Sequence, residues 1–315
     1  MQPGETMGRS SRRVAGVAGI VCALSIGLSV GASAQIVIAP VDTIRFDRPE
    51  AWALKYFTST TLLSGLGVPD TVQPGSIRIG FEFASIPALS PTQERVGFNG
   101  TKQEDLNKAP MFARPRVTVG LPWRLSLIVA ASPPIKTFGI TPRLLAVGLE
   151  RPMVAGAGWS AGWRVSGQAG TATGAYTCPA GVLTFDPGSA GNSYGCQALS
   201  SDVATLRYAA GELAVARRIE RMHGLTPHAS VTVAYMNSMF HVNALTFGYL
   251  DRTLLKSTGV TWSVSAGVGH SLTERISAAI DVFYSPLSVV RAPNSPSAID
   301  GLLNVRGLIS YRVHR

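Results

Sequence analysis

The chain has 315 residues, a formal net charge of +10, 46% hydrophobic and only 15% charged residues. That is too little charge for a disordered chain and less than the quarter or so of an average soluble domain. Gly and Pro, at 33 and 20, are too few and too aperiodic for a collagen-like or low-complexity chain.

The first 34 residues have the pattern of a secretory signal peptide. Arg9, Arg12 and Arg13 precede an uncharged run over 14–30, and Ala32-Ser33-Ala34 offers a small-x-small cleavage site before Gln35. Cys22 follows Val21, where a lipid-attachment box wants a small residue, so a lipoprotein is not expected. No later stretch has the 18 or so apolar residues of a spanning helix. The mature chain is therefore exported to the periplasm or beyond, or crosses a membrane as a β-barrel.

Residues 35–74 form an N-terminal extension. Asp47 is placed to cap a short helix from about Pro49 through Tyr56. The stretch 58–66, with part of 36–46, supplies two further strands; alternatively, the extension is a plug or a periplasmic tether. The sequence leaves these open.

From residue 75 onward the apolar period is two. Ile77, Ile79, Phe81 and Phe83 alternate with Ser76, Arg78, Gly80 and Glu82, and the chain closes on Leu303, Val305, Ile309 and Tyr311 set against Asn304, Arg306, Ser310 and Arg312. Ten strands follow, at about 75–86, 111–121, 123–132, 138–150, 154–171, 204–218, 225–239, 257–270, 274–286 and 301–313. Strand 138–150 is apolar on both faces for part of its length. In 204–218, Arg207, Glu212, Arg217 and Arg218 fit no single register, which points to a bulge.

Nearly every second connection is short and the others are long, the asymmetry of outer-membrane barrels with short periplasmic turns. The fold class is all-β: a transmembrane antiparallel up-and-down barrel over 75–315, of ten strands, or twelve if the extension contributes two. Both termini then lie in the periplasm. A soluble barrel also alternates, but here Trp123, Trp159, Tyr235, Tyr284 and Tyr311 lie on the apolar face, as interfacial girdles do.

Cys178 and Cys196 flank a turn-rich stretch in the longest connection. In an exported chain this pair is expected to form a disulfide.

By parity Arg78, Arg116, Arg124, Arg164, Arg275, Arg306 and Arg312 face the lumen, with Glu82 and Asp281. Two meanings follow. Arg rings raise local anion concentration and favour an anion path. Arg also crosslinks a filled polar interior, and ten strands sit near the filled end of the barrel series. His228 and Ser230, two apart, share a strand face as a lipid hydrolase pair would. They share it with the polar residues, so they point inward, and no enzyme is expected. The histidines show no metal spacing, no cofactor motif is present, and the basic pI of 9.9 comes without a nucleic-acid motif.

Several segments carry a resemblance: Arg48-Pro49-Glu50-Ala51-Trp52, Val96-Gly97-Phe98-Asn99-Gly100-Thr101-Lys102, Glu104-Asp105-Leu106-Asn107 and Tyr284-Ser285-Pro286-Leu287. With these the chain resembles a family of Gram-negative outer-membrane barrels. The resemblance implies fold and outer-membrane location, and carries no activity with it. It departs from such barrels in ending on His314-Arg315 rather than an aromatic. The expected function is a narrow channel or uptake protein for small, in particular anionic, solutes. A non-conducting structural or adhesive barrel acting through its outer loops is the alternative, and a lipid-modifying hydrolase built on His228 and Ser230 ranks third. Expected partners are outer-membrane lipids and, during biogenesis, the barrel assembly machinery.

Overall fold

A computed structural model describes residues 41–313 apart from Thr71, Ala157, His223 and 292–294. The signal peptide expected over 1–34 and the last two residues lie outside the described residues.

Ten antiparallel strands close into a barrel. They are β1 (Ile77–Ser85), β2 (Met111–Leu121), β3 (Leu125–Ser132), β4 (Thr141–Gly156), β5 (Trp159–Gly174), β6 (Tyr208–Arg217), β7 (Thr226–His241), β8 (Leu254–Ser271), β9 (Ile276–Ser285) and β10 (Leu302–Arg312). Each pairs with its neighbour in sequence, and β10 closes on β1 from Arg306↔Ala84 to Arg312↔Arg78. Closure leaves no open edge in the ring, so every wall strand finds its backbone partners inside the protein.

The turn after the fourth strand and the bulge expected in 204–218 both differ from expectation. The strand expected to turn at 151–153 runs on to Gly156, because Pro152 sits at a bulge where the register shifts between Pro152 and Val154. A bulge tolerates a residue without an N–H. No bulge occurs where Arg207 suggested one. The short segment Asp202–Thr205 continues β6 upstream, pairing with β5 and β7 in the same register.

The polarity is inverted relative to a soluble protein. Glu82, Arg114, Arg116, Arg164, Gln168, Glu212, Asp281, Asn304 and Arg306 are buried inside, whereas Ile79, Phe81, Val147, Val233, Val260, Ile280 and Ile309 are exposed on the outer wall. An apolar belt around the whole wall far exceeds what a monomer leaves to water. Facing lipid, it contributes favourably instead.

The extension occupies the lumen. Helix α1 (Pro49–Thr60) is buried along nearly its whole length. Asp47 does not cap it, because Arg45 binds that carboxylate; the N-cap is Arg48, and Pro49 at N1 has no N–H to leave unsatisfied. Residues 58–66 are not a strand, since 58–60 end the helix and 61–66 cross the lumen. The segment Val41–Thr43 pairs in parallel with Leu254–Lys256 of β8. It is not a spanning strand, and the barrel has ten. The described chain thus begins at the long-loop end and reaches β1 by passing through the barrel; the mature N-terminus expected in the periplasm lies outside the described residues.

The wall is shaped for this passage. A Cβ on Gly148 would lie 3.0 Å from Leu63, one on Gly162 2.8 Å from Pro69, and one on Gly120 2.1 Å from the Gln73 carbonyl. The doubly apolar stretch of β4 has the same cause: Leu144 packs inward against Leu54 and Leu206, while Leu145 faces out.

The Cys178–Cys196 disulfide forms, with Cα atoms 5.6 Å apart. It packs on Val242 and Ala244, joining two of the long loops.

Candidate functional site

The last carbonyls of a helix have no intrahelical donors and carry partial negative charge. Those of α1 point into the arginine layer. Arg306 donates to the Ser59 carbonyl (2.7 Å) and the Leu62 carbonyl (2.9 Å), and its guanidinium lies 3.5 Å over the Phe283 ring. Arg114 donates to the Thr61 carbonyl (3.0 Å) and, through two nitrogens, to Glu82. Arg116 donates to the Ser64 carbonyl at 3.1 Å and lies 3.9 Å from Glu82. Tyr208 accepts the Leu63 N–H at 2.7 Å, and Gln168 donates to Thr61 Oγ1 at 2.8 Å. Lower down, Arg164 pairs with Glu150 and Glu212 and fills the space beside Gly65. Four arginines and three glutamates thus grip the segment 59–65.

Of the charges expected in the lumen, Glu82, Arg116, Arg164, Asp281 and Arg306 are there and buried. Arg78 stands at the short-turn mouth, 3.4 Å from Asp70, and Arg312 ends β10 on that rim. Arg124 and Arg275 are not in the lumen. Arg124 lies in the exposed β2–β3 turn with φ +61°, and Arg275 in the exposed β8–β9 turn. Parity holds along a strand and lapses where the chain turns. Arg114, Glu150 and Glu212 are lumen residues the expectation missed. Arg114 has the parity of Arg116, and that signal was available. Glu150 and Glu212 became visible only once the register was known.

His228 and Ser230 face inward but are not wired to each other. His228 Nε2 lies 2.6 Å from Asp281 Oδ1, with Nδ1 3.2 Å from the Thr226 carbonyl. Ser230 Oγ pairs with Ser265 Oγ at 2.9 Å, and Ser265 donates to the other Asp281 oxygen at 3.0 Å. The hydrogen-bond partners of His228 are thus Asp281 and the Thr226 carbonyl, not Ser230.

Cavities lie on both sides of the gripped segment. At the short-turn end a polar one of about 350 Å³ is lined by residues 65–70, Arg78, Arg164, His228 and His270. At the loop end a largely apolar one of about 220 Å³ is walled by Leu54, Phe57, Leu106, Tyr176, Phe240 and Val242, with Asp42, Arg48, Glu50, Glu104 and Asp251 around it. The two share no lining residue. A third, of about 110 Å³, lies where β3 stops short between β2 and β4; Phe57, Leu106 and Tyr176 line it as well as the loop-end cavity. Among the described residues no group of His, Cys, Asp and Glu is arranged to hold a metal.

The wall, its outward apolar belt and the polar interior define the molecule. It is a transmembrane β-barrel of the outer-membrane type. No family model matches the chain, and no curated protein matches it in sequence. Among solved structures it is similar to the outer membrane protease OmpT from Escherichia coli, at 12% identity over 80% of this chain and 99% of that one, with a TM-score of 0.38. It is also similar to the attachment invasion locus protein Ail of Yersinia pestis (10% identity, 76% and 99%, TM-score 0.28) and to the Pseudomonas putida toluene transporter TodX (11%, 87% and 78%, TM-score 0.35). A protease, an attachment protein and a transporter at such scores carry no argument about this chain's role.

Proposed function

We propose that the protein is a gated uptake barrel of the Gram-negative outer membrane, exported by a cleaved signal peptide and closed at rest by its own N-terminal segment. The solute it takes is small and largely apolar, not an anion. The observation that carries this is the pair of cavities separated by residues 59–65, one apolar under the loops and one polar at the short-turn mouth. Passage requires that segment to shift. The buried lumen arginines do not support the anion path, because glutamates and plug carbonyls occupy them. No catalysis is assigned, since His228 and Ser230 face different partners. Lipids contact the belt, and assembly machinery is needed only in biogenesis; nucleic acid has no place in this reading.

The test is the refolded mature chain in liposomes. Wild type is expected to show no steady conductance yet to admit a small apolar solute. A Leu63→Cys, Gly148→Cys pair, oxidised to tie plug to wall, should abolish uptake and reduction should restore it. Uptake unchanged by the tie would overturn gating by the plug. A barrel that neither conducts nor admits any solute would favour the non-conducting structural reading, for which the filled lumen is the supporting observation.

A further inference from the structure

The loop-end cavity combines two features that suit one ligand class. Its deep wall is aromatic: Phe57 and Tyr176 have ring centroids 5.8 Å apart, Tyr176 and Phe240 6.0 Å. Aromatic faces carry negative quadrupole charge and attract a cation placed over them, most of all one that sheds its water easily. The charged groups around the cavity are the second feature. Arg48 is taken by Glu50, with Nη2 2.8 Å from Oε1, and Lys102 is taken by Glu104 at 2.9 Å. Asp42 and Asp251 remain, and neither has a cationic partner among the described residues. Asp251 accepts only from the Thr253 amide (2.9 Å) and hydroxyl (2.6 Å), both on one carboxylate oxygen. Even with Glu104 protonated, the carboxylates of Asp42, Glu50 and Asp251 outnumber Arg48 and Lys102, so the cavity carries surplus negative charge beside an aromatic wall.

We propose that this cavity binds a small lipophilic ammonium ion, its hydrocarbon body among Leu54, Phe57, Tyr176 and Phe240 and its cationic head towards Asp251 and Asp42. This rests on reading the cavity as the solute's entry site and names the class of solute. Size agrees: an apolar cavity of about 150 Å³ holds benzene, and about 220 Å³ leaves room for a ring with a short amine-bearing chain. Asp42 is exposed at the rim and Asp251 is half-buried; opposite charge beside Asp251 favours the cation over its neutral isostere and disfavours the anion.

The experiment compares three probes of one shape, phenethylammonium, 2-phenylethanol and phenylacetate, by calorimetric titration of the folded full-length mature protein in detergent. The ammonium is expected to bind at least about tenfold more tightly than the alcohol, with no binding of phenylacetate. Asp251→Asn keeps an acceptor for Thr253 and removes the charge. It should cost the ammonium about tenfold and leave the alcohol unchanged. Phe240→Leu should weaken the ammonium more than the alcohol. Equal affinity for ammonium and alcohol, or tighter binding of the alcohol, would overturn the cation assignment while leaving an apolar entry site standing. Binding of none of the three would sink both readings. If Asp251→Asn does not fold, the wild-type probe series decides alone.

Discussion

Glu104 shows what burial does to a single carboxylate at the loop end. Lys102 holds both of its oxygens, at 3.0 and 2.9 Å, yet burial outweighs that pairing and pushes the carboxyl up to about 8. A carboxyl that binds its proton more tightly folded than unfolded contributes stability below the ordinary carboxylate range and loses it as the pH rises towards 8. The loop end should therefore become more protease-sensitive between about pH 5 and pH 8, and Glu104→Gln should flatten that profile. A profile unchanged by the substitution would show that Glu104 is not its source. Arg306 poses the opposite case, a fully buried cation whose partners are carbonyls. Arg306→Ala leaves the Ser59 and Leu62 carbonyls without their donor, at a cost of about 1–3 kcal/mol each. Faster amide exchange across 59–65 with the wall amides unchanged is the expected result.

At the scale of elements, α1 holds because its ends are provided for by other parts of the chain. Pro49 starts it, and the arginines of β2 and β10 satisfy its C-terminal carbonyls. The wall glycines are the matching half of that fit. Gly120→Val would drive a side chain into the Gln73 carbonyl, 2.1 Å from a Cβ there. The segment joining plug to β1 should lift, so liposomes carrying this variant should show the steady conductance that wild type lacks. Silence would mean the plug accommodates the intrusion. The disulfide acts on a different element. Closing its loop contributes roughly 3 kcal/mol in the chain-entropy picture. Cys178→Ser with Cys196→Ser should expose 179–195 to proteolysis while the barrel keeps its compact, heat-modifiable mobility on gels. Loss of that mobility would show that the loop staple also supports the wall.

For the whole molecule the deciding fact is the inverted polarity. Val233 faces out and its neighbour Thr232 faces in. Val233→Arg should destabilise the barrel in lipid vesicles by about 2–4 kcal/mol if it lies near the bilayer midplane. Unfolding by denaturant measures this. No destabilisation at all would place that belt outside the bilayer.

Much of this architecture was legible in the chain. Ten strands emerge from period-two alternation because a pleated strand puts neighbouring side chains on opposite faces whatever surrounds it. The disulfide was legible because Cys178 and Cys196 are the two cysteines that remain beyond the expected signal peptide and offer one pairing. The Arg lining followed from parity within strands. At Arg124 and Arg275 parity lapsed, since no pleat governs a turn. What the tertiary structure alone decided is the meaning of those arginines and of the first described residues. Helix α1 is expected from the residues at its start, not from an amphipathic pattern, and its burial on nearly all sides inside the lumen was not legible. Nothing local in the stretch 58–66 says that its carbonyls meet guanidinium groups more than 200 residues away, as Ser59 and Leu62 meet Arg306. Strand pattern is a local property of the backbone. Whether a lumen is open or filled depends on contacts between distant segments, which only the closed barrel brings together.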